Sequence, residues 1–331
     1  MSKEVEKKES SIISITSDDS LAKAVKVALA RYKKYKESGL FLHKEYGISA
    51  QDRERTLHFI ADVVREDQRT GRVVSRLQNT AFLEKHFTWI PWKPNTEQAG
   101  FGRVSFPPSV KEELDKKILL TKYAAFKIPG SSHKTEHFSC ALYENRDHKK
   151  HVRLTKQEII AGKLDQHRQH YKPLVWVTKK GLEHALMHGT VIVVMPDKKE
   201  RILYAHTHNQ YVYESKKPVH QQKRYWFFKE IKDTSKMAEH HLVHMLETKN
   251  ACFAGDIHNL GMGSLLALTI KNPRNNKKQR ALGFLIDTGG AFKNNQYQLD
   301  MFLGLCAEEA LFDQQIKSYA ENAEAYFLVK K

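Results

Sequence analysis

From Trp89 onward the 331-residue chain loses the three-to-four-residue recurrence of its first part and breaks into short apolar runs separated by proline, glycine and polar turns. Before that point Leu21, Val25, Ala28, Leu29 and Tyr32 recur at helical spacing beside a lysine-rich face, and Leu57, Ile60, Ala61 and Val64 form a second such stripe. Pro91, Pro94, Gly100, Gly102, Pro107 and Pro108 then break the period. Strand-like runs follow at 118–123, 174–177, 190–195, 202–205, 225–228, 265–270, 282–286 and 325–329. Helices gathered at the start and strands at uneven intervals afterwards predict an α+β chain, mainly β, with barrel-like sheets rather than alternating βαβ units. Residues 1–19 are polar and aperiodic, which predicts a disordered leader ending at an N-cap on Ser20.

Hydrophobic residues make up 40% of the chain, enough for a sizeable core, and at roughly 100–200 residues per domain the length predicts two domains. No run approaches the ~18 apolar residues of a membrane span, and the N-terminus lacks the apolar centre of a signal peptide, so no transmembrane segment is expected. Cys140, Cys252 and Cys306 are an odd set without a CxxC pair, which points to neither a disulfide framework nor a zinc ribbon.

The 55 Lys+Arg against 38 Asp+Glu give a formal charge of +17, which favours a polyanionic partner: nucleic acid, an anionic membrane face or an acidic cell-wall polymer. Dispersed lysines on an ordinary basic protein give the same total. Basic runs at Lys33-Lys34, 147–153 and 277–280 come without any RNA- or DNA-binding signature. His240, His241 and His244 lie in EHHLVH, which is not HExxH, because Glu239 precedes the first histidine; no metal is expected there. Trp89, Trp92, Trp176 and Trp226 are either sugar-stacking faces or core residues.

Chemistry concentrates near the C-terminus. Residues 255–264 read GDIHNLGMGS, an aspartate followed by a turn, and residues 286–304 read IDTGGAFKNNQYQLDMFLG, with Asp287 at a strand end and Asp300 entering an apolar stretch. Gly289 and Gly290 permit the close approach that a sharp turn beside a groove requires. On pattern alone, aspartates beside glycines cap turns as readily as they do chemistry.

This stretch resembles the three-aspartate "3D" domain of the membrane-bound lytic transglycosylase A family. The resemblance extends upstream: ILLTKY at 118–123 is similar to the family's strand ending in Thr-Gly-Tyr, LTKQEIIAGKL at 154–164 to its Arg-x-Glu-Ile-x-x-Gly helix start, and YWFFKE at 225–230 to its Phe-Phe segment. It covers about residues 20–331. The fold it implies is a double-psi β-barrel over 20–128 and 234–331, interrupted by a second β-rich domain over 129–233, with glycan lying in the groove between them.

The activity it implies is cleavage of the β-1,4 bond between N-acetylmuramic acid and N-acetylglucosamine in peptidoglycan, without water and without cofactor or metal, by a monomeric enzyme of the periplasm or cell envelope. Two other readings stand beside it: a peptidoglycan-binding protein of the same fold with weakened catalysis, and a basic nucleic-acid-binding protein. Motif against motif, Asp300 falls on the catalytic aspartate, with Asp287 beside it. Substrate contacts are implied at Asp256, Thr121, Tyr123, His188, Gly189, Thr190, Tyr204, Asn209, Gly289 and Gly290. The chain departs from the pattern where Ala124, Ala125 and Phe126 replace a Tyr-x-Pro stretch and where Asn294 and Asn295 lie in a loop two residues longer than usual.

Overall fold

The computed structural model describes residues 13–38, 45–94, 117–147, 152–214, 217–232 and 243–331. The first part holds strand β1 (Ile13–Ser14), helices α1 (Asp18–Glu37), α2 (Ala50–Arg69) and α3 (Thr80–His86), and strands β2 (Phe87–Pro91) and β3 (Ile118–Ser131). The middle holds β4 (Cys140–Asn145), α4 (Lys156–Ile160), β5 (Tyr171–Val177), α5 (Lys179–His188), β6 (Thr190–Val194), β7 (Glu200–His208) and β8 (Trp226–Glu230). The last part holds β9 (Cys252–Ala254), α6 (Ile257–Leu260), β10 (Leu265–Lys271), β11 (Lys278–Asp287), β12 (Gln298–Cys306), α7 (Glu309–Ile316) and β13 (Asn322–Lys330).

Strand pairing closes a ring. β13 pairs β10, β10 pairs β11, β11 pairs β9, β9 pairs β12, β12 pairs β3, and β3 returns to β13, so six strands form a barrel without a free edge. The β11–β9 and β12–β3 pairs are parallel, and the other four are antiparallel. Strands buried on both faces need no polar alternation, which is why β10 and β11 read as nearly unbroken apolar runs, LLALTI and ALGFLI. The chain is thus α+β with a large mixed sheet.

β3 also leaves the ring. Its first half pairs with β12 and β13, and from Phe126 onward it pairs β6, which carries β7 and β8, and then β5, which carries β4. One continuous strand therefore fixes the second β-rich part against the barrel.

The N-terminal helices cover the barrel. α1 is capped by Ser17, whose side chain accepts from the Ser20 amide, and carries Asp18 and Asp19 in its first turn and Lys34 and Lys36 in its last, all favourable to the helix dipole. Its buried face, including Leu21, Val25, Ala28 and Tyr32, packs on β11. α2 opens with a Ser49–Asp52 capping box and turns Leu57, Ile60, Val63 and Val64 inward against β13 and β10.

The start differs from the sequence expectation. The cap is Ser17 rather than Ser20, and β1 pairs in parallel with β11 while Thr16, 3% exposed, donates to the Asn250 carbonyl (2.9 Å) and accepts from the Leu282 amide (3.0 Å). Residues 13–19 belong to the fold because these backbone bonds, invisible to hydropathy, tie them to β11; residues 1–12 of the expected leader lie outside the described residues. His240 and His241 also lie outside them.

β11 and the start of β9 approach so closely that only glycine fits at 283: a Cβ there would stand 2.5 Å from the Ala251 carbonyl oxygen and 2.8 Å from its Cα. Gly283→Ala forces backbone rather than a side chain to move. Urea denaturation is expected to show a loss of about 1–3 kcal/mol with an unchanged slope.

Candidate active site

Register places four residues in one row across adjacent strands. Asp287 of β11 pairs with Ala254 of β9, Ala254 pairs with Asp300 of β12, and Asp300 pairs with Thr121 of β3. Paired residues project to the same face, so both carboxylates and the threonine hydroxyl stand on one side of the barrel wall. Two strand spacings, about 10 Å, separate the Asp287 and Asp300 backbones.

Asp287 is held from both sides. Its Oδ1 accepts from Arg31 Nη1 at 3.3 Å and its Oδ2 from the Tyr123 hydroxyl at 3.0 Å. Arg31, on α1, also donates to the Ile286 carbonyl at 2.6 Å, which fixes the strand end that carries the carboxylate. Tyr123, two residues beyond Thr121, has its phenol pushed well above the usual value, first by burial and then by the Asp287 charge, so it remains a neutral donor. Cys252 Sγ lies 3.5 Å from the same hydroxyl, and burial followed by the Asp287 charge pushes its thiol up to about 12. Asp287 has a fixed guanidinium partner and a fixed phenol, an arrangement suited to holding geometry.

Asp300 stands in a different setting, between Leu299 and Met301, each 0% exposed. The Gln298 amide donates to Thr121 Oγ1 at 2.8 Å, and Thr121 in turn donates to the Leu299 carbonyl at 3.3 Å. Lys122 Nζ donates to the carbonyls of Leu120 (3.0 Å) and Ala320 (2.6 Å), and burial draws its ammonium down to about 8 against the pull of Glu321 and Asp300. Arg31, Gln298 and Lys122 were not singled out in the sequence; Gln298 alone carried a signal, two residues before Asp300 on the same strand face.

The long loop ahead of Asp300 is anchored. Asn294 takes a left-handed φ of 55°, and the buried Asn295 amide donates to the Ala291 carbonyl and to Gln298 Oε1, both at 3.0 Å. Trp92 Nε1 donates to the Gln296 carbonyl at 2.9 Å, which makes this tryptophan a strut of the loop rather than a sugar platform. Gly289 and Gly290 are exposed at its start, directly after Asp287.

Other expected substrate contacts are placed elsewhere. Asp256 is 1% exposed and caps α6, its carboxylate accepting from the Asn259 amide (3.3 Å) and side chain (2.6 Å), so it is consumed within its own turn. Asn209 is also 1% exposed; its side chain donates to the carbonyls of Leu154 and Lys223 and accepts from the Tyr225 amide, a buried latch between three segments. Gly189, at φ 74°, ends α5, and Thr190 pairs with Tyr204 across β6 and β7. Because Val191 pairs with Phe126, these three residues lie about 13 Å along β3 from the Thr121–Asp300 row.

His188 packs on Phe126 (ring centroids 4.8 Å) and edge-on to Phe312 (5.8 Å), with His184 6.1 Å away. Ala124, Ala125 and Phe126, which replace the polar Tyr-x-Pro stretch, are buried at 1–2% exposure, and the aromatic stack fills that part of the wall. Among the described residues no helix is long and apolar enough to cross a membrane, and no group of three or more His, Cys, Asp or Glu side chains could hold a metal ion.

This fold is similar to that of solved lytic transglycosylases. In particular it is the fold of MltA. The MltA structure from Neisseria gonorrhoeae aligns over 95% of this chain and 88% of its own at a TM-score of 0.57 and 15% identity. A membrane-bound lytic murein transglycosylase from Agrobacterium tumefaciens aligns over 86% and 85% at 0.54 and 15%. Escherichia coli MltA with bound chitohexaose aligns over 65% and 72% at 0.51 and 15%. Neither a protein-family model nor a curated protein sequence matches the chain.

The histidine stack has a measurable consequence. Burial, with a smaller push from His184, lowers His188 from 6.5 to about 4, and burial also lowers His184. The unfolded chain therefore takes up a proton near pH 6.5 that the fold accepts only near 4, so stability falls as pH drops through that window, by up to about 1.4 kcal/mol per unit of separation. His188→Phe is expected to flatten the dependence of melting temperature on pH between 6.5 and 4. An unchanged slope would place the proton uptake on other groups.

Proposed function

We propose that this protein is a peptidoglycan lytic transglycosylase in which Asp300 is the general acid and base. The observation that carries the reading is the row Asp287–Ala254–Asp300–Thr121, set on a barrel of the MltA fold. An E. coli protein of this fold holds chitohexaose, which supports a glycan as the ligand class.

In the proposed reaction the Asp300 carboxyl group gives its proton to the glycosidic oxygen as the bond to the muramic acid anomeric carbon breaks. The resulting carboxylate then takes the proton of the muramic acid C6 hydroxyl as that oxygen attacks the same carbon. The products are a free N-acetylglucosamine hydroxyl and a 1,6-anhydro ring, and the enzyme regains its proton. Ordinary glycosidases need a second carboxyl group to activate water or attack the sugar. Here the nucleophile belongs to the substrate, so Asp287 is free to act in position: paired with Arg31 and Tyr123, it sets the strand end facing the row.

The groove we propose runs from this row along the shared strand β3 between the barrel and the second β-rich part, over Thr121 and Tyr123 and the Gly289–Gly290 turn to Thr190 and Tyr204. The division at 20–128 with 234–331 against 129–233, a monomeric state and an envelope location follow from the same reading. A second reading is favoured by the sealed wall at Ala124–Phe126 and by the inward commitments of His188 and Asn209: a glycan-binding protein of this fold with little turnover.

Digestion of purified peptidoglycan with mass analysis of the products decides between them. The wild type is expected to release 1,6-anhydro muropeptides, and Asp300→Asn to lower their yield by about 10²–10⁴-fold. Reducing-end products would mean a hydrolase, binding without cleavage would favour the second reading, and salt-sensitive DNA binding with no glycan binding would turn the basic charge toward nucleic acid. Tyr123→Phe is expected to retain the fold and lower activity less than Asp300→Asn, since it removes one of the two side chains that hold Asp287.

A further inference from the structure

Arg224 stands two residues before β8, and its guanidinium carbon lies 4.4 Å from the centre of the Trp226 ring. His208 meets the same indole edge-on at 5.2 Å. The guanidinium reaches the turn that follows Asp287: a Cβ added at Gly290 would collide with Arg224 Nη1, so glycine at 290 is what admits the cation. Arg224 thus connects the second β-rich part to the barrel loop that runs from Asp287 to Asp300.

Among the described residues this cation has no counter-charge. Among the described residues Arg224 forms no ion pair, its Nε is buried without a hydrogen-bond partner, and burial alone lowers its proton affinity, with no carboxylate acting on it. Half-burying a guanidinium costs free energy unless an anion or acceptor meets its donors. Its planar fork matches a carboxylate bidentately, and the indole beneath holds the plane in place. The turn it touches, Thr288 to Gly290, is exposed, so an anion can reach it from solvent.

We propose that Arg224, laid on Trp226 and against Gly290, is a substrate-recognition residue that binds a carboxylate of the glycan strand. The proposal rests on the reading of the groove as a peptidoglycan site. In such a strand a carboxylate comes either from the lactyl ether of muramic acid, where the stem peptide has been removed, or from the stem peptide itself. An N-acetylglucosamine oligomer carries neither.

The test uses the full chain in the uncleaving Asp300→Asn background and measures dissociation constants for three ligands: the N-acetylglucosamine hexamer, glycan strands stripped of peptide, and stem-bearing strands. Arg224→Gln is expected to weaken at least one carboxylate-bearing ligand by about tenfold or more, as loss of a charge-assisted pair does, and to leave the hexamer within about twofold. Arg224→Lys, which keeps the charge and loses the fork, is expected to recover part of the loss. Weakening confined to stripped strands assigns the lactyl carboxylate, and weakening confined to stem-bearing strands assigns the peptide. Equal weakening of the hexamer, or no weakening of any ligand, overturns the proposal while leaving the groove intact. If the parent protein binds none of the three, the functional reading falls together with it.

Discussion

The pairing of β3 with both β12 and β13 is the constraint on which the rest of the molecule depends. Leu119 meets Gln298 on one side and Asn322 on the other, and through that double pairing the six strands close. Closure removes the edges that an open sheet of this hydrophobicity would expose and leaves the register no freedom to slide. A slip of one residue along β12 would turn Asp300 and Gln298 into the other face and break the row with Thr121 and Ala254. The same strand, continued past Phe126, orients the second β-rich part, so barrel closure and groove geometry are consequences of one segment.

Within that frame the three aspartates differ in what the protein has already done with their charge. Asp256 is sealed into the turn it caps, Asp287 is matched by Arg31 and Tyr123, and Asp300 lies between two fully buried apolar neighbours. The proposed proton transfer is assigned to Asp300, which shares its row with Thr121 and Ala254. The cations divide in the same way: Arg31 answers a carboxylate of the chain, whereas Arg224 has a stacking partner and, among the described residues, no anion.

Hydropathy and motif order made much of this legible. The helical stripes at 21–32 and 57–64, the change to β structure after residue 89 and most of the strand positions all appear as read, because apolar spacing reports directly on which face is buried. Strands β2, β4, β9 and β12 were not read as strands. β9 has only three residues, and β12 alternates only briefly, Gln298 and Asp300 against Leu299 and Met301, before it turns apolar on both faces at Phe302 and Leu303. β1 and the cap on Ser17 were missed because a two-residue strand held by backbone bonds to β11 leaves no side-chain pattern.

The sequence by itself determined the order of helices and strands, the crowding of glycine and aspartate near the C-terminus and the candidacy of Asp300, since these depend on local spacing and residue type. Only the tertiary structure decided which polar residues are spent internally. Asp256 and Asn209 look like ligand contacts in a string of letters, yet each is buried and hydrogen-bonded inside the fold. Arg224 looks like one more surface cation until β8 is set against the Gly290 turn. Whether a polar group is satisfied depends on partners far away in the chain, and that information does not exist until strands distant in sequence are brought into register.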